Sequence, residues 1–148
     1  MMVAGNAGDS LASRAWIWAP ALYIVGLVVM NVLSVPLATE TMPEACPENS
    51  GNCDHRQIML DVSDEELLKA MEEWVNTRAF TASFSEWHIV DRTLLMQFPD
   101  DLTYENKCGY IEVNSQSRLG AADFGVNADR LVDLESFLKS YDFATTCQ

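Results

Sequence analysis

Cys46 and Cys53 are separated by six residues, and His55 follows closely. Two thiolates and an imidazole form a metal-donor set, with His88 available as a fourth ligand. Zinc sites usually use tighter C-x(2–4)-C knuckles, so this spacing fits zinc poorly. A disulfide is the stronger reading. Cys46-Pro-Glu-Asn-Ser-Gly-Asn-Cys53 is rich in turn formers, and its ends meet easily. Closing that ring would contribute about 2–3 kcal/mol on the chain-entropy view. The four cysteines allow three pairings. A Cys46–Cys53 bond leaves Cys108 with Cys147, which would tie the C-terminal tail to the sheet. Such bonds persist in oxidising compartments. No Asn-x-Ser/Thr sequon occurs, so nothing points to a eukaryotic secretory route.

Other groups are weaker candidates for catalysis. Asp100-Asp101 could act as paired carboxylates for acid–base work, but a Pro-Asp-Asp sequence reads as a solvated turn. His88 lies in an apolar stretch with no nucleophile beside it and reads as a structural histidine. Ser115 and Ser117 lack the G-x-S-x-G elbow. Asp123-Phe124-Gly125 spells the kinase metal-binding triplet without the other kinase motifs, a chance match. There is no phosphate loop and no dinucleotide fingerprint. The expectation is a chain with no catalytic residues, no cofactor and no metal.

The segment from Asn114 to Asn127 stands apart, dense in small polar residues and glycines. Arg118 is expected to be held by Asp123, or by carbonyls of the Gly120–Gly125 loop, bracing a tight connection. The alternative is a small-anion site made by Arg118 and the N-terminus of the last helix.

These residues need elements to position them. Ser63 caps a helix, with Glu66 completing a capping box and Val62 stapled onto Leu67. Leu67, Leu68, Met71, Trp74 and Val75 form its apolar stripe, and it should end near Asn76. From Phe80 to Ser117 the pattern is strand-like: Phe80–Phe84, one or two strands within Trp87–Phe98, a turn at Pro99–Asp101, Leu102–Tyr104, and Tyr110–Val113. Asn127 is expected to cap a last helix with Leu131, Leu134, Phe137, Leu138 and Tyr141 on one face. The order implies an α+β domain, an antiparallel sheet covered on one face by two helices.

Ala15 to Ala38 carries no charge over 24 residues. As a helix that is roughly 36 Å, enough to cross a bilayer core of about 30 Å. Trp16, Trp18 and Tyr23 suit the interface, Pro20 falls in the first turns, and Pro36 helps stop the helix. Asn31 is its one strongly polar side chain and marks a face for packing against another helix. A cleaved signal peptide fits less well, because the run is long and its flank weakly basic. Arg14 favours the N-terminus on the positive side, with the rest of the chain exported. The expected divisions are a tail over 1–14, a transmembrane helix over 15–38, a linker and cysteine loop over 39–60, and an α+β domain over 61–148. From Glu40 onward there are 21 acidic and 8 basic residues, which account for the whole net charge of -13. Such a body repels phosphate backbones and argues against a nucleic-acid partner.

Ser115, Ser117, Arg118, Gly120, Asp123, Gly125 and Asn127 together resemble the S-x-S-R-x-G-x-x-D-x-G-x-N signature of the domain-of-unknown-function family numbered 1499. Phe98-Pro99-Asp100-Asp101 resembles that family's F-x-D-D turn, and the Cys46–Cys53 box resembles its cysteine box, here one residue longer. The resemblance spans roughly residues 44–140. It implies a fold and no reaction. Its occurrence in bacteria and photosynthetic eukaryotes, often beside membrane segments, directs the functional expectation. That expectation is a single-pass, non-enzymatic accessory or assembly subunit of a membrane complex, with the bilayer and other subunits as partners. A photosystem with the acidic domain in the thylakoid lumen is the first reading. A respiratory subunit of the mitochondrial inner membrane, or a ligand-binding module or hydrolase of the bacterial envelope, is the alternative.

Overall fold

The computed structural model describes residues 8–78 and 80–147, with side chains from Trp16 onward. The chain runs α1 (Gly8–Ser34), a 3-10 turn (Val35–Leu37), β1 (Cys53–Ile58), α2 (Asp64–Thr77), β2 (Ala82–Ser85), β3 (His88–Arg92), β4 (Pro99–Asn106), β5 (Ile111–Ser117) and α3 (Val126–Ser140). The strands form one antiparallel sheet in the order β1-β5-β4-β3-β2. This is the expected α+β fold: α2 packs on β2, and α3 on β1 and β5.

Apolar residues on one face of each element explain the core. Leu67, Met71 and Trp74 of α2 meet Leu131, Leu134 and Leu138 of α3 over Ile89, Leu102, Tyr104, Ile111 and Val113 of the sheet. Ser63 caps α2, its hydroxyl accepting the Glu66 N–H at 3.4 Å. The capping box is only half made. The Ser63 N–H donates to Thr145, and the Glu66 carboxylate holds Lys69 and the Ala144 N–H. Both are links to the C-terminal tail that local sequence does not reveal.

The other sheet face is covered by the strap that follows α1. Thr103 Oγ1 donates to Met42 Sδ at 3.5 Å, and Asn114 Nδ2 lies 3.7 Å from Cys46 Sγ of the strap. Cys46 is bonded to Cys53 and Cys108 to Cys147, with Cα separations of 5.7 and 5.4 Å.

Three local expectations are corrected. Residues 53–58, expected within a loop, form edge strand β1, which is specified by pairing with β5 because only Ile58 is fully buried. Pro99-Asp100-Asp101 is the start of β4 rather than a turn. The turn precedes it, where Thr93 closes residues 93–98 through bonds with Gln97 and Phe98. Finally, α1 begins at Gly8, so Pro20 lies in its interior, where its missing N–H leaves a carbonyl one turn earlier without its helical donor. Residues 1–7 of the expected tail and the Arg14 side chain lie outside the described residues.

Among the described residues one helical stretch, Trp16–Leu37, is long and apolar enough to cross a membrane. Almost none of it is buried against the rest of the chain.

Candidate functional site

Successive residues of a strand face opposite sides of a sheet. Asp100 and Asp101 therefore point in opposite directions from the central strand β4, and both are almost fully buried. They are not a catalytic pair sharing one site. Nor are they solvated, because each is neutralised by a different arginine.

On the helix side Asp100 meets Arg130 of α3, Nη2 to Oδ2 at 2.6 Å. Arg130 Nε reaches Asp91 of β3 at 2.9 Å, and its Nη1 bonds Ser115 Oγ at 2.9 Å and Asn127 Oδ1 at 2.6 Å. Ser115 donates to Asn127 Oδ1, and Asn127 Nδ2 donates to Ser117 Oγ and to the Asn52 carbonyl. Arg78, at the end of α2, also grips Asp91 and reaches Asp133. Strands β3, β4 and β5, the residue preceding β1 and the ends of both body helices thus meet at one buried polar cluster. Burial pushes the Asp91 carboxyl up, but Arg130 and Arg78 outweigh it and hold the group below the usual carboxylate value.

On the strap side Arg118 clasps Asp101 with two bonds, Nε to Oδ2 at 2.9 Å and Nη2 to Oδ1 at 2.6 Å. His88 Nε2 donates to Asp101 Oδ1 at 2.7 Å, and the Thr39 N–H to Oδ2 at 2.8 Å. Burial again opposes ionisation of Asp101, while His88, Arg118 and Thr39 bring it below the ordinary value.

The structure corrects the expected partner of Arg118: it is Asp101, across the strand pair, and not Asp123 or the loop carbonyls. Asp123 instead accepts the N–H groups of Gly125 and Asn127 at 2.9 and 2.8 Å. It, rather than Asn127, therefore serves the start of α3, and Asn127 turns into the polar cluster. Those two N–H groups outweigh burial and hold the Asp123 carboxyl low. Gly120 and Gly125 have φ of +94° and +88°, which glycine adopts without strain. Both features of the imagined anion site are thus occupied by the chain's own carboxylates.

His88 and Asp101 have the arrangement of a base and its orienting carboxylate. Among the described residues no hydroxyl or thiol is bonded to His88 to act as nucleophile. Cys46 and Cys53 are bonded to each other, so they offer no thiolates beside His55. Asn31, expected to mark a helix-packing face, lies 3.4 Å from both the Gln97 carbonyl and Arg92 Nε.

Arg130, Asp91 and Arg78 were not singled out from sequence. The signal for Arg130 was present. It sits one turn after Asn127 and beside Leu131, a charge within the buried stripe of α3.

The arrangement defines an α+β domain on a five-stranded antiparallel sheet, braced by a buried ionic cluster on each side of one central strand. Residues 54–138 match the family described as "Protein of unknown function (DUF1499)", and the chain belongs to that family. The match starts just after Cys53, so the cysteine box precedes it. Comparison with curated proteins and with solved structures finds no match.

Proposed function

We propose that the protein is a non-enzymatic, membrane-anchored accessory or assembly subunit of a larger complex, with its acidic domain exported. The observation that carries this reading is the commitment of Asp100, Asp101, Arg118 and Arg130 to one another. The charged side chains most suited to chemistry brace the domain, while the apolar helix α1 is left exposed. A photosystem, with the domain in the thylakoid lumen, is the finer form of the proposal. It rests on the occurrence of the family in photosynthetic organisms. Subunits of respiratory complexes fit the same physical description.

One observation favours a second reading, a small-ligand module. A largely apolar cavity of about 370 Å³ lies between Met30, Met96, Phe98, Leu119 and Phe124. Its size and lining suit a hydrophobic ligand.

Purification from native membranes in mild detergent tests both. The subunit reading requires stoichiometric co-migration with a large pigment or respiratory complex. A monomer carrying a bound small molecule, identified by native mass spectrometry, would refute it and establish the second.

A further inference from the structure

Most of the exposed large apolar side chains of the body gather at one end of the sheet. The register pairs Ala82 with Asp91, Arg92 with Pro99, Asp100 with Ser117 and Gln116 with Cys53, which places these positions at one end of the sheet. Loops 78–81, 93–98 and 118–125 all emerge there. Their tips carry Phe80, Leu94, Leu95, Met96 and Phe124, exposed by 94%, 73%, 74%, 51% and 100%. Exposed apolar groups gathered from three separate loops mark a contact surface.

The charges of these loops are as telling. Their sequences contain only Arg78, Arg118 and Asp123, and loop 93–98 has none. Arg78 is paired with Asp91 and Asp133, Arg118 with Asp101, and Asp123 caps α3. Arg92, at the end of β3, meets Asn31 Oδ1 of α1 at 3.4 Å, and Glu48 of the segment entering β1 is an exposed acid at this end, so it is the three loops themselves that bring no unpaired charge to a covered surface. At the opposite end, loops 59–63, 86–87 and 107–110 carry Asp61, Glu86 and Lys107.

What covers the surface is indicated by α1. Tyr23 donates to the Leu95 carbonyl, and Asn31 lies against Gln97. Tyr23, Gly26 and Met30 line a groove with Met96 and Phe98. Loop 93–98 thus runs along the apolar helix itself. Leu95 lies beside Tyr23, about 20 Å from the Leu37 end at 1.5 Å per residue. A bilayer that contains α1 therefore also surrounds this loop. The contacts to Asn31 have a physical logic in that setting, because a side-chain amide in lipid needs polar partners.

We infer that the loop end of the sheet is a membrane-seating surface, with Leu94, Leu95 and Met96 in the acyl-chain region and Phe80 and Phe124 at its boundary. The domain then lies against the bilayer, with its acidic end directed away.

The inference rests on α1 being membrane-embedded, and the test separates the two. The four native cysteines are disulfide-bonded, so single cysteines can be introduced and labelled without reduction. Val25→Cys reports on α1, Leu94→Cys and Phe124→Cys on the loops, and Met59→Cys, exposed at the far end, is the control. Full-length protein in phosphatidylcholine vesicles is labelled with a fluorophore, then exposed to aqueous iodide or to lipid carrying an acyl-chain quencher. Circular dichroism checks that each variant is folded. The seating surface requires the labels at 94 and 124 to be quenched severalfold more by lipid than by iodide, as at 25, with 59 the reverse. If 25 is lipid-quenched while 94 and 124 behave like 59, the anchor stands and the seating surface is refuted. If 94 and 124 are shielded from both quenchers, protein rather than lipid covers the surface, which also refutes it. If 25 itself is quenched by iodide, the anchor falls and the inference falls with it.

Discussion

Asp101 is held by an arginine 17 residues later in the chain and Asp100 by one 30 residues later. Those separations explain why local sequence misleads at this point. Pro-Asp-Asp has the composition of an exposed turn, and only the partners across the sheet and on α3 make it a buried strand. Arg118 shows the same effect. Asp123 is its nearer carboxylate in sequence, but the antiparallel pairing of β4 and β5 brings Asp101 closer in space. These buried carboxylates set a sign for acid behaviour. Asp91, Asp101 and Asp123 all have lowered pKa values in the folded state. Their stabilisation is complete above the unfolded carboxylate value of about 4 and is lost as pH falls through the folded values. Urea midpoints should therefore be nearly constant from pH 7 to about 5 and fall steeply below about 4. Asp101→Asn should reduce that acid sensitivity as well as the neutral-pH midpoint. An Asn variant with the parent's full acid slope would contradict the assignment.

The two body helices were legible because each announces itself locally. Ser63 caps α2, and the stripes of α2 and α3 recur at helical spacing, with Leu67, Met71 and Trp74 buried on one and Leu131, Leu134 and Leu138 on the other. Strand β1 was not legible, because Cys-Asp-His-Arg-Gln-Ile alternates in no apolar pattern and its place is fixed by β5. The cysteine pairing followed from loop chemistry and elimination. The two disulfides close rings of very different size, with separations of 7 and 39 residues. On the chain-entropy view the longer ring is worth about 4 kcal/mol and the shorter about 2.5 kcal/mol. Replacing Cys108 and Cys147 by serine should thus lower the denaturation midpoint more than replacing Cys46 and Cys53. Equal losses, or the opposite order, would show that the strap bond carries native contacts the ring sizes ignore.

At the scale of the whole molecule, the chain divides its labour by surface chemistry. A largely apolar helix and three apolar loop tips lie on one side, and a strongly acidic body on the other. The apolar run was visible in the sequence because it holds no charge from Ala15 to Ala38, which composition alone exposes. The seating end was hidden, because its residues come from three loops that only the sheet topology assembles. Between these regions stands strand β4, whose Asp100 binds the helix layer through Arg130 and whose Asp101, on the other face, holds Arg118 and the Thr39 N–H of the strap. The central claim is that these signature charges hold the layers together rather than serve a ligand. Removing one partner of a buried pair costs about 3–5 kcal/mol. Each kcal/mol shifts the melting temperature of a domain this size by about 4–8 °C. The decisive measurement is thermal unfolding of the detergent-solubilised full chain, followed by circular dichroism, for Arg130→Ala and Arg118→Ala. The account predicts that both melt at least about 10 °C below the parent, with Arg130→Ala, which loses four partners, the lower. Melting temperatures within a degree or two of the parent would contradict it and return these arginines to a binding site.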